Sequence, residues 1–339
     1  MKKGNFYAAG LAVVLLALAV SAHAQRRGAA RTGPAAPASD VSLPASDAVA
    51  VVDMRRLLNE AVPRAFGQDP ARLAQVNADI DRFKTQTGVD ARAFERVHVG
   101  ARFVAADPDS FKLDHVVAVA DGTFDPAALV AAGREAARGN HREERHAGKT
   151  IHVFTVNQRL KLFGVLPEMN VREFALAVLD SDTAAVGDLA AVRAALDAQA
   201  GRGRVSAALL ALARQNPSAV LGFGANAPPA LARAASGLGG EVERSLSSIR
   251  QFYGSLATTQ TGFDLLVSAR TPTAADARRL VDTLKALKTL GDFAAAQRTG
   301  DRGEAMRRAL ANVRITPQGP DAQIRLDIPA GDLPMLLSF

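Results

Sequence analysis

The stretch Asp114–Ala131, D-H-V-V-A-V-A-D-G-T-F-D-P-A-A-L-V-A, constrains this chain more than any other. It reads as an apolar strand, a tight turn at Asp121-Gly122 and a helix opened by Asp125 and Pro126. A counterpart, F-D-L-L-V-S-A-R-T-P-T-A-A-D at Phe263–Asp276, follows roughly 150 residues later, and a repeat at that spacing implies two copies of one unit.

The elements around these stretches repeat as well. An apolar run after Pro44 gives a first strand. Leu57, Leu58, Val62 and Phe66, then Leu73, Val76, Ile80 and Phe83, give two helices. Val97, Val99, Ala101 and Phe103 alternate with His98, Gly100 and Arg102, the period of a half-buried strand that should pair antiparallel with the strand from His115. Two hairpins follow, one turning at Gly148-Lys149 and one at Ser181-Asp182. A helix capped by Asp188 ends at Gly201. The second half opens after Pro217 and repeats the order. Its longest helix begins with the capping-box spacing Thr273 to Asp276 and carries Leu280, Val281, Leu284, Leu287 and Leu290 on one expected face. Strand, helices, strand, strand, helix, strand in each half predicts an α+β fold of two duplicated ferredoxin-like (split βαβ) halves, with antiparallel sheets and helices on one face. The expected boundaries are 47–201, with an extra hairpin, and 202–339.

Residues 1–24 have the plan of a Sec-type signal peptide. Lys2 and Lys3 precede an apolar run from Phe6 to Val20, and Ala22-His23-Ala24 predicts cleavage after Ala24. An uncleaved anchor is the structural alternative, although the run falls short of the roughly 20 residues of a spanning helix. Residues 25–46, rich in Ala, Pro and Arg, read as a disordered spacer. The expected location is therefore periplasmic or secreted, with no transmembrane segment in the mature chain. With 0 cysteines, disulfides, thiolate nucleophiles and Cys-ligated metals are excluded. Much of the net charge of +7 lies in the signal and spacer, and 0 Trp and 2 Tyr leave few stacking surfaces. Nucleic acid is therefore not an expected partner.

Local motifs dissolve when weighed. Gly222-Phe223-Gly224-Ala225-Asn226-Ala227 fits a relaxed dinucleotide fingerprint, but Pro228-Pro229 remove two amide donors where an anion would sit, leaving a strand-to-helix turn. Gly148-Lys149-Thr150 lacks the phosphate-loop glycine five residues earlier, where Glu143 stands. Asp121-Gly122-Thr123 resembles a phosphatase motif whose nucleophilic carboxylate is replaced by Val119. His141, Glu143, Glu144, His146 and His152 form a His/Glu cluster. The expected register puts His146 on one face, and His141 too far from His152 for shared ligation. Asp107, Asp109 and Asp114 share a loop without the glycine and bidentate Glu of a calcium site. No catalytic, cofactor or metal residue is assigned.

One stretch stands apart. Arg159-Leu160-Lys161-Leu162-Phe163-Gly164-Val165-Leu166-Pro167 is apolar and basic where a polar connection is expected. It either covers a core edge, the more ordinary role, or forms a contact surface through Arg159, Lys161, Leu162, Phe163 and Leu166.

Export signal, Ala/Pro spacer and two such halves resemble exported bacterial protein families of unknown function. That resemblance rests on layout and implies no activity and no site residues. The leading expectation is a non-enzymatic envelope binding or scaffold module with an envelope partner. The alternatives are a carrier of an amphipathic ligand held between the halves, and a hydrolase whose residues converge only in three dimensions.

Overall fold

β1 (Ala48–Asp53) lies in the middle of the sheet, although it comes first in the chain. Its A-V-A-V-V-D run is apolar on both faces, and both faces are covered. The computed structural model describes residues 42–107, 110–160, 169–228, 230–231, 233, 239–297 and 301–332. Residues 1–41, which hold the expected signal segment and most of the expected spacer, lie outside these. Of the expected spacer's last residues, Leu43 is fully buried and Pro44 bridges to Arg204.

Among the described residues, twelve strands form one sheet in the order β11-β12-β10-β9-β8-β1-β2-β3-β7-β6-β5-β4. The first half supplies β1, β2 (Phe94–Asp107), β3 (Ser110–Gly122), β4 (His141–His146), β5 (Lys149–Leu160), β6 (Met169–Val178) and β7 (Thr183–Gly187). The second supplies β8 (Leu221–Asn226), β9 (Gln251–Thr258), β10 (Gly262–Arg270), β11 (Val313–Gln318) and β12 (Asp321–Pro329). β1 and β8 pair antiparallel from Ala48↔Ala225 to Val52↔Leu221 and join the halves.

The fold is thus mixed helix and strand around a large antiparallel sheet. The split βαβ order does not occur: that order inserts a strand between the first two of each half, whereas β1 pairs directly with β2 and β8 with β9. The reason is edge competition. β1 has two edges, β8 takes one and β2 the other. Each half is instead a three-strand meander followed by strands that return, so that β7 pairs with β3 and β12 with β10. Val51, His98, Val119 and Ala185 form one row across β1, β2, β3 and β7, and Gly224, Tyr253, Ser268 and Gln323 form one across β8, β9, β10 and β12.

Helices cover both faces, not one. On the first lie α1 (Met54–Arg56), a π turn (Leu57–Ala61), α2 (Val62–Phe66) and α3 (Pro70–Thr87), whose Met54, Leu57, Val76 and Ile80 pack on Ala50 and Val52. The π turn precedes Pro63, which cannot donate to the helical ladder. α4 (Pro126–Ala136) covers Phe154 and Leu176. On the opposite face α5 (Leu189–Gln199) and α6 (Ala207–Ala213) pack on Val49, Val117, Val153 and Tyr253. In the second half come α7 (Gly240–Ser247), α8 (Ala274–Ala296) and α9 (Asp301–Ala311). Leu280 and Val281 of α8 are buried, but Leu287, Leu290 and Phe293 are exposed. Residues three apart rotate about 60° around a helix, so this row turns away from the sheet.

The G-x-G sequence lies inside β8, not in a turn after it. Its glycines admit α6: a Cβ on Gly222 would stand 1.9 Å from the Ala213 carbonyl oxygen, and one on Gly224 2.9 Å from that of Leu209. Replacing Gly222 by Val is expected to push α6 off the sheet and destabilise the chain by about 2 kcal/mol or more in urea unfolding. Gly88→Ala, where φ is +69° and the space is open, should cost about 1 kcal/mol.

Candidate functional site

The α5/α6 face buries a polar cluster. β2 and β3 set Arg96 opposite Asp121 and His98 opposite Val119. Alternation made His98 the wet phase of a half-buried strand, but α6 closes that face and His98 is 1% exposed. Arg214, the residue that ends α6, places Nη2 3.2 Å from His98 Nε2. A guanidinium only donates, so His98 Nε2 accepts and Nδ1 carries the proton. That Nδ1 faces Asp121 Oδ1 at 3.7 Å, and Arg96 Nε lies 3.5 Å from Asp121 Oδ2. His98 Nδ1 and Asp121 Oδ1 are buried and make no hydrogen bond.

Burial, reinforced by the charges of Arg214 and Arg96, lowers the His98 pKa to about 3. Burial raises that of Asp121 against the pull of Arg96. His98 is therefore a neutral imidazole whose one lone pair is already occupied. It cannot take a proton from a substrate while Arg214 holds it.

The second half places different groups at the matching positions. Tyr253 stands where His98 does, Arg270 where Asp121 does, and Asp321 where Thr183 does. Arg270 donates to Asp321 through Nε at 2.9 Å and Nη2 at 3.1 Å, and the Tyr253 hydroxyl donates to Asp321 Oδ2 at 2.8 Å. The Arg270 guanidinium lies 5.2 Å from the Tyr253 ring centroid. This second cluster is closed on itself. Of these groups, sequence reasoning had marked only Asp121 as chemistry-bearing, and the same repeat offset that aligned the two halves sets Asp121 against Arg270.

The His/Glu hairpin has a different register from the expected one. Its turn is Ala147-Gly148, not Gly148-Lys149, with φ of 50° and 79°, the paired positive values that match strand twist. Glu143 therefore faces His152, and His141 faces Phe154. Glu143 Oε1 lies 3.2 Å from His152 Nδ1 and 3.8 Å from His141 Nε2, closer than expected, and accepts a 2.6 Å bond from Arg134. Even so, no group of His, Asp or Glu among the described residues is arranged to hold a metal. Beside His152 a shallow cleft of about 570 Å³ opens under α4, lined mainly by Pro126, Ala127, Val130, Ala131 and Val178, with Arg134 and Asp180 at its rim.

Of the expected contact residues, Arg159 lies in β5, opposite Asn170. Lys161, Leu162, Phe163 and Leu166 lie outside the described residues. β5 and β6 continue past their neighbours: β4 ends at His141↔Phe154, β7 ends at Gly187↔Ala175, and among the described residues Gln158↔Val171, Arg159↔Asn170 and Leu160↔Met169 pair only with each other. These pairs make a two-stranded arm.

No protein-family model matches the chain, and no relative is found among curated proteins. Among solved structures it is similar to crystal form III of TP0453, at 9% identity and TM-score 0.44 over 88% of this chain and 97% of that one. It is likewise similar to crystal form I of TP0453, at 10% identity and TM-score 0.42 over 89% and 98%. No helix among the described residues is long and apolar enough to cross a membrane.

The buried histidine sets an acid response. Unfolded His98 takes up a proton near pH 6.5 and folded His98 only near pH 3, so its contribution is intact above 6.5 and is lost as pH falls between those values. Asp121, shifted upward, works in the opposite sense. Unfolding free energy measured against pH should decline across this window by up to about 5 kcal/mol, and His98→Gln should flatten the decline. An unchanged slope in the variant would refute the assignment.

Proposed function

We propose that this is a non-enzymatic exported module of the cell envelope that binds a partner through its β5–β6 arm. The carrying observation is that β5 and β6 pair beyond both neighbouring strands as far as Arg159 and Leu160, where the apolar, basic run Arg159–Pro167 begins in the sequence. A ribbon that outruns both neighbours favours the contact role over the core-cover role for the run it leads into. The occupied lone pair of His98 speaks against the hydrolase reading. The same proposal takes the two halves as copies of one unit, supported by their matched strand register and not by the ferredoxin-like order.

A photo-crosslinking residue at position 163 in exported full-length chain should give a discrete adduct. Leu162→Asp with Phe163→Asp should abolish binding while leaving the thermal midpoint unchanged. Loss of the fold in that variant would return the segment to the core.

A second reading, a carrier of an amphipathic ligand, draws on the cleft under α4, whose apolar wall meets Arg134 and His152. The seam between the halves is bridged by the paired strands β1 and β8. On this reading, native mass spectrometry should find a bound small molecule that Ala131→Phe removes. Equal occupancy in the variant would place the ligand elsewhere.

A further inference from the structure

The β5–β6 arm has a companion. β1 pairs with β2 only as far as Ala101, and β7 pairs with β3 only from Val117, so Arg102–Asp107 and Ser110–His115 form a second ribbon with no flanking strand among the described residues. Both ribbons leave the same end of the sheet. β7 ends at Gly187, which faces Val117 on one side and Ala175 on the other, and both arms continue past that level. β7 is the single strand between β3 and β6. Neighbouring strands lie about 4.8 Å apart, so β3 and β6 are about 10 Å apart where β7 separates them.

Beyond Gly187 the chain leaves this lane. Asp188 closes its floor, donating its amide to the Val116 carbonyl oxygen at 2.9 Å and accepting the Val116 amide on Oδ2 at 2.7 Å. The next residues turn onto the sheet face as α5. Above that floor, Ser110–Asp114 pair on one side with β2 and Met169–Glu173 on one side with β5, while no strand among the described residues lies between their facing edges. Each edge therefore presents backbone amides and carbonyls at every second residue. The extra residue of the β5–β6 bulge falls on β5, so the β6 edge stays regular. Of the two β2–β3 irregularities on this side, the one at Gly100/Arg102 puts its extra residue on β3 beside His115, where φ is 51°, on the floor of the lane, and the one at Ala105/Asp107 puts it on β2, away from the lane.

The geometry points to a docking lane for one extended polypeptide segment of a partner, entering between the arms as a continuation of β7 and hydrogen-bonded on both sides. A strand is the occupant that matches one lane of width and two rows of backbone donors and acceptors. A lipid or helix satisfies neither row. This rests on the contact reading above and specifies the partner's conformation.

The test uses the full chain and a short alternating Thr-Val peptide, with amide hydrogen exchange as readout. Binding should slow exchange about tenfold at both Lys112–Asp114 and Asn170–Arg172. The same peptide N-methylated at alternate residues cannot donate and should give no protection. Replacing residues 158–171 by Asn-Gly shortens one arm and leaves the pairs with β4 and β7 intact, and should abolish protection on the other arm. Protection on one arm only, or equal protection by the N-methylated peptide, overturns the lane. A crosslink at position 163 without protection would leave the contact reading standing and sink this one, and protection that survives Leu162→Asp with Phe163→Asp would do the reverse.

Discussion

The pairing of β1 with β8 is the contact on which this architecture depends. Each half begins with a strand of small and branched apolar residues, Ala48–Asp53 and Leu221–Asn226. Left as edges, these strands would offer flat, uncharged rows of unpaired amides, the kind of edge that recruits other chains. Pairing them with each other removes both edges at once. The edges that remain are of another kind. β4 is H-R-E-E-R-H and β11 is V-R-I-T-P-Q, charged in one case and interrupted by Pro317 in the other. Both compositions resist further strand addition.

A wide sheet with helices on both faces has no wet phase in its central strands. Polar residues of the alternating pattern are then enclosed and must be satisfied or neutralised in place. The two halves meet this demand differently at matching positions. Arg270, Asp321 and Tyr253 form a charge-balanced set in which both carboxylate oxygens are bonded. His98 instead stays neutral between Arg214 and Asp121. His98 also ties β2 of the first half to the end of α6 beside β8, a polar stitch across the seam on the face opposite Phe223 and Ala50.

Local signals were legible, and lanes were not. Asp125 and Thr273 cap α4 and α8 through their side chains, as read from the residues. The antiparallel pairing of the His98 and His115 strands follows from their short connection. The strand order inside each half was not readable, because it depends on which strand wins the second edge of β1, and that competitor lies about 170 residues away. His98 was misjudged for the same reason: alternation reports one covered face and is silent on a helix arriving from the other half. The hairpin register turned on whether Ala147 or Lys149 shares the turn with Gly148. Composition favours neither, while the twist of the strands requires positive φ at both turn positions.

The two arms carry an argument of their own. This chain has an uncovered strand, β4, and it is written in charged residues. Among the described residues the arms pair only within each ribbon, yet their sequence includes Phe103, Val104, Phe111 and Leu113 in one and Leu160, Met169 and Val171 in the other. Phe103, Val104 and Leu113 are half-buried. Apolar strands left without a neighbour carry an aggregation cost that charged ones avoid. On the docking proposal, a partner strand covers these edges in the working state. The charged edge strand shows how this sequence behaves where nothing does.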